Sequence, residues 1–111
     1  MKYDFGIERE KWAALSFEEQ MGNIGSEVGR AIIAHRKGMR TREDRAIDRA
    51  LDLFAAEADV LVGTPFAYRL KEALRARDEF LRLFFDGTFE KDADRIERYF
   101  MWFAFIARTA A

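Results

Sequence analysis

Glu27 and Arg77 are the residues in this chain whose surroundings most invite a chemical role. Gln20, Asn23, Glu27 and Arg30 recur at steps of three, four and three, which aligns them as one polar stripe along a helix. Arg77 falls between Leu74 and Leu81, in the middle of an apolar stripe where an unpaired guanidinium is expensive. It calls for a carboxylate, and Glu27 is the first choice. Such a pair reads either as a buried ion pair that fixes helix register or as a polar pocket for a small anionic or amide-bearing ligand. The remaining alternative is that Arg77 carries its charged head to solvent along its aliphatic stem.

Arg30 and the single histidine, His35, have the spacing Arg-x4-His. A cation that stabilises phosphate charge beside an imidazole that moves a proton is suited to RNA cleavage. The spacing resembles the signature of HEPN-type ribonucleases, helical bundles that act as dimers. That resemblance implies an RNA-binding protein or a metal-independent ribonuclease using Arg30 and His35. Against it, the two side chains point about 140° apart on a regular helix, and Ala31 stands where that family carries a polar residue. A histidine in the core or at a helix end is the plainer reading. Around the same turn, Arg36, Lys37, Arg40, Arg42, Arg45 and Arg49 outnumber Glu43, Asp44 and Asp48, an excess that attracts phosphate weakly or complements helix ends. Asp44, Asp48, Asp52 and Asp59 share a stripe of the next helix, but Arg45 and Arg49 sit three residues before Asp48 and Asp52, so a solvated ion-paired face is expected rather than a cation site. A di-iron centre needs two Glu-x-x-His motifs, and this chain has one histidine.

The elements that must position these groups are helices. Ser16-Phe17-Glu18-Glu19 is a capping box, in which serine and glutamate satisfy the orphaned N–H groups of a helix start. Phe17, Met21, Ile24, Val28, Ala31 and His35 follow at helical period, and Gly38 supplies a stop. Thr41 opens a second helix, with seam Ile47, Ala50, Leu51, Phe54, Ala58 and Leu61, ended by Gly63. Thr64-Pro65 starts a third, because proline suits a first helical position, and Asp86-Gly87 closes it. A fourth begins near Asp92. The expected spans are 17–37, 42–62, 65–85 and 93–108. Short connections make sequential helices antiparallel neighbours, so the expected fold is all-α: an up-down four-helix bundle of one domain over 1–111. Residues 1–15 read as an extended arm, or as an arm with an extra short helix.

Two features exceed what a small bundle needs. Gly22, Gly25 and Gly29 lie within one helix, each costing about 0.5–1 kcal/mol relative to alanine. A strip without Cβ atoms admits another helix closely, either the aromatic last helix of the same chain or a second chain. The last helix, for its part, is apolar around nearly its whole circumference, from Tyr99 to Ile106. Trp102 and Phe105 lie off its inward side, to be covered by the arm (Tyr3, Phe5, Ile7, Trp12) or by a second subunit.

Composition bounds the rest. The chain has 111 residues, half of them hydrophobic, and a formal net charge of −1, a profile of a foldable domain rather than a disordered or strongly basic nucleic-acid-binding one. With no cysteine there is no disulfide framework and no Cys-based zinc site. The start of the chain lacks the pattern of a secretory signal and no apolar run reaches membrane-spanning length, so a cytoplasmic location is expected. No cofactor or metal is implied. Trp12-x2-Leu15-Ser16-x2-Glu19-Gln20-x2-Asn23-Ile24-Gly25-Ser26-Glu27-Val28-x-Arg30-Ala31 resembles a family of small uncharacterised bacterial and archaeal helical proteins. The segments Ala46-x3-Ala50-Leu51-Asp52-Leu53, Arg69-Leu70-Lys71-Glu72-x-Leu74-Arg75-x-Arg77 and Tyr99-Phe100-x2-Phe103 are similar to its later parts. The resemblance covers residues 12–108 and implies a helical fold with no established activity. Together these readings lead to the expectation of a homodimeric interaction or assembly module rather than an enzyme.

Overall fold

The computed structural model describes residues 7–109, and among them the chain is all-helical. Its elements are α1 (Arg9–Ala14), α2 (Phe17–Arg36), α3 (Arg40–Leu61), α4 (Ala67–Phe85) and α5 (Phe89–Thr109). The capping box forms: Glu19 N donates to Ser16 Oγ at 3.0 Å and Ser16 N to Glu19 Oε1 at 2.8 Å. Gly38 follows α2 with φ of 68°, a left-handed turn that a side chain would strain.

Three helix starts differ from expectation. Helix α3 begins at Arg40 rather than after a Thr41 cap. The left-handed Gly38 turns the chain so sharply that the Met39 carbonyl already accepts from Glu43 N at 2.9 Å, which leaves Thr41 inside the first turn. Helix α4 begins two residues after Pro65. Thr64 Oγ1 donates to the Leu61 carbonyl and accepts from Phe66 N, so the Thr64-Pro65 pair belongs to the turn. Helix α5 starts at Phe89 instead of near Asp92. The Phe89 ring is buried 4.0 Å from the His35 ring and 5.8 Å from that of Phe84, and this apolar anchor draws the chain into helix a turn early.

Helix α2 packs against α3 and α5, α4 against α3 and α5, and α1 against α3. Gly22 faces Ala104, Gly25 faces Phe100, and Arg36 pairs with Asp94, so α2 and α5 run antiparallel. Met21, Ile24, Val28, Ala31 and Ile32 of α2 are fully enclosed with Ala50, Phe54, Phe80 and Phe100. Burial of each large apolar side chain contributes about 1.5–3 kcal/mol. The seam of α3 runs through Ile47, Ala50, Phe54, Glu57 and Leu61, a three-four alternation that places a carboxylate where Ala58 was expected. Helix α4 turns Ala73, Ala76, Phe80 and Leu83 inward, which leaves Leu74, Arg77 and Leu81 on its flank.

Helix α1 resolves the choice for the start of the chain over residues 9–14, where one and a half turns form instead of an extended strand. Tyr3 and Phe5, the rest of the expected arm, lie outside the described residues. No described helix is long and apolar enough to cross a membrane.

Candidate interaction surfaces

The polar stripe of α2 does not converge on Arg77. Glu27 pairs instead with Arg30, one turn along the same helix, at 2.7 Å. Arg77 sends its guanidinium to the flank of α4, with 41% of the side chain exposed and an ion pair to its neighbour Asp78 at 3.5 Å. The expected Glu27–Arg77 pair is therefore corrected. Rotating α4 to bury Ala76 moves residue 77 about 100° from the inward direction, and the long stem then reaches water. Asn23 is exposed. Gln20 turns inward and is buried, and its Nε2 donates to the Trp12 carbonyl at 2.8 Å. That hydrogen bond holds the end of α1 against α2. Of the five polar candidates, Glu27 and Arg30 form one pair, while Gln20, Asn23 and Arg77 lie apart from it.

One ionisable group strongly affected by the fold has no place in the sequence expectations. Glu57 is fully enclosed, and neither of its carboxylate oxygens has a hydrogen-bond partner of ordinary geometry. Burial raises its pKa from 4.5 to about 7, against smaller opposing effects of the nearby Trp12 indole N–H and the Arg69 guanidinium. The Trp12 Nε1 is likewise buried and without a well-formed hydrogen bond. Donor and acceptor therefore face each other without closing. Arg69 is held outside by aromatic faces, its guanidinium carbon 5.0 Å from the Phe17 ring centre and 4.7 Å from that of Phe66. The step from Phe54 to Glu57 to Leu61 was a usable signal, since it keeps heptad spacing better than a step to Ala58.

The glycine strip is filled from within the chain at two of its three positions. A Cβ on Gly22 would lie 3.3 Å from the Ala104 Cα, and one on Gly25 only 2.7 Å from the Phe100 Cβ. Of the two readings of the strip, Gly22 and Gly25 thus follow close packing against the last helix of the same chain, in the seam of α2 with α5, rather than contact between chains. At Gly29 the nearest group is the Glu97 carboxylate, at 3.9 Å. Trp102 and Phe105 remain on the outward side of α5, 59% and 51% exposed. Their rings stack with centres 6.3 Å apart, and Met101 beside them is also exposed. Trp12 does not cover them, because it is buried in the core. Ile7 also packs against that core.

His35 and Arg30 have different surroundings. The His35 ring rests on Phe84 and Phe89, and its Nδ1 lies 3.2 Å from Glu43 Oε1. Arg30 lines a groove on the outer side of α2 and α3. Of the acidic stripe, Asp44 pairs with Arg40 and Asp59 with Arg9, and no metal-binding group of three His, Asp or Glu side chains occurs among the described residues.

A second cleft, of about 330 Å³, separates α4 from α5. Within it Tyr99 Oη donates to Glu72 Oε2 at 2.8 Å and Arg95 pairs with Glu79 at 2.9 Å, and Lys71 and Arg75 complete its polar lining. Burial and the adjacent Glu72 push the Tyr99 pKa upward, so the phenol stays a proton donor. No protein-family model matches the chain, and neither does any curated protein or solved structure.

Proposed function

We infer that this chain is a non-enzymatic assembly module: an up-down four-helix bundle, buttressed by α1, that forms a homodimer through the outward face of α5. The observation that carries this reading is the stacked, half-exposed pair Trp102 and Phe105. Aromatic anchors of this kind carry a large share of interface energy, and an exposed cluster on a small domain is a recognised mark of an interaction site. Two copies of α5 related by a twofold axis at the midpoint of Trp102 and Phe105 bring the two aromatic pairs together. The same symmetry sets Arg98 opposite Thr109. The location consistent with this reading is the cytoplasm, with no cofactor, and its kinship is with the small helical proteins that the Asn23–Val28 run resembles. The ribonuclease alternative gains no support from the separate surroundings of Arg30 and His35.

Analytical ultracentrifugation of the full chain over a wide concentration range tests the proposal. Wild-type protein is expected to dimerise. Trp102→Glu combined with Phe105→Glu is expected to remain monomeric while keeping its helical circular dichroism. A wild-type chain that stays monomeric throughout overturns the reading.

A further inference from the structure

The groove on the outer side of α2 and α3 is distinct from the α5 face and chemically one-sided. It holds about 320 Å³ and is lined by Arg30, Lys37, Arg42, Arg45 and Arg49 around Ile33, Ala34, Met39 and Ala46. None of the nine lining residues is acidic. Lys37, Arg42 and Arg45 make no ion pair among the described residues. Arg30 keeps Glu27 at one end of the groove.

The arrangement follows from helix geometry. Arg30 and Lys37 stand seven residues apart on one bank, about 10.5 Å along α2. Arg42, Arg45 and Arg49 occupy a similar length of the other bank on antiparallel α3. Between the banks the floor is apolar, with Ile33 48% and Met39 40% exposed. We propose that this groove binds an acidic amphipathic helix of a protein partner, whose apolar stripe lies on Ile33 and Met39 while carboxylates on both sides of the stripe meet the two cationic banks. Arginine forks match carboxylates bidentately, and a flexible methionine adapts to varied apolar anchors. Single-stranded nucleic acid fits less well, because the lining holds no aromatic ring on which a base can stack. Duplex phosphates leave the apolar floor unused.

A fluorescently labelled acidic peptide of about 18 residues, long enough to hold a helix on binding, tests this by anisotropy. Its leucines occupy one helical stripe with glutamates on both flanks. A scrambled peptide of the same composition, a uridine oligonucleotide and a short RNA duplex are titrated alongside. The amphipathic peptide is expected to bind at least about tenfold more tightly than the scrambled one, and less tightly as salt rises. Arg42→Glu with Arg45→Glu, and separately Ile33→Ser with Met39→Ser, should each weaken binding about tenfold or more. All four positions are exposed, and unchanged thermal melts establish that the variants fold. Equal binding of both peptides, tighter binding of either RNA, or no binding of the amphipathic peptide overturns the proposal. Because α5 is untouched, these outcomes are independent of the dimer measured by ultracentrifugation.

Discussion

The contact of α2 with α5 and the contact of α1 with α3 each contain an irregularity in the core, and they handle it in opposite ways. Between α2 and α5 the irregularity is missing side chains, and it is matched: Ala104 and Phe100 occupy the space above Gly22 and Gly25. Between α1 and α3 it is an added carboxylate, and it is not matched: Glu57 and the Trp12 N–H are both buried without a completed hydrogen bond. Two helices of about twenty residues can slide and rotate until a groove is filled, because many contacts along the seam share the adjustment. A helix of six residues, tethered at Leu15 and held by Gln20, has few contacts with which to reposition an indole. Missing volume is thus compensated more readily than misplaced polarity.

The strongest way to sharpen this contrast is to remove the charge. Glu57 titrates at about 7 in the folded chain against 4.5 as a free group. Below 4.5 both states are protonated and the group carries no penalty. Between 4.5 and about 7 the unfolded chain ionises first, so stability falls as pH rises, and above about 7 the loss is complete. The shift corresponds to at most about 3 kcal/mol. In Glu57→Gln, the stability difference between about pH 5 and about pH 8, measured by urea unfolding, should shrink by up to that amount. An undiminished difference would mean that other groups carry the pH dependence.

Next in size is Gly25→Ala. Its Cβ would come within 2.7 Å of the Phe100 Cβ, and overpacking of about 1–3 kcal/mol outweighs the roughly 1 kcal/mol that alanine contributes to the helix. A net loss of up to about 2 kcal/mol in chemical denaturation is expected. The smallest effect has the opposite sign. Gly29→Ala meets only the Glu97 carboxylate at ordinary contact distance, so the helix gain of about 0.5–1 kcal/mol should survive. Equal effects at the two positions would show that the seam with α5 is looser at Gly25 than the contact implies.

Much of the helical framework was legible in the chain. The capping box at Ser16, the stop at Gly38 and the inward set of α2 from Phe17 to Ala31 follow from local bonding and period, and the structure repeats them, while His35 at the end of that set is only partly buried. The starts of α4 and α5 differ from expectation for one local and one tertiary reason. Thr64 prefers to close a turn with its own backbone, and Phe89 is held by rings from two other helices. At the candidate sites, the glycine strip pointed correctly to a close helix approach and left open which chain supplied the helix. The Arg77 stripe pointed to a buried cation because Leu74 and Leu81 were assigned to the centre of the seam, whereas they flank it. At Glu57 the residue type points outward while its spacing joins the seam, and the packing follows the spacing.

What the residues alone determine here is local: where hydrogen-bonded turns can start and stop, and which positions share a helical face. Those depend on neighbours within about four residues, and the sequence contains all of them. The rotation of each helix about its axis was decided only when the helices packed, because it minimises voids across several partners at once. That rotation exposes Arg77, buries Glu57, places Phe100 over Gly25 and brings the cations of α2 and α3 to face each other across an apolar floor.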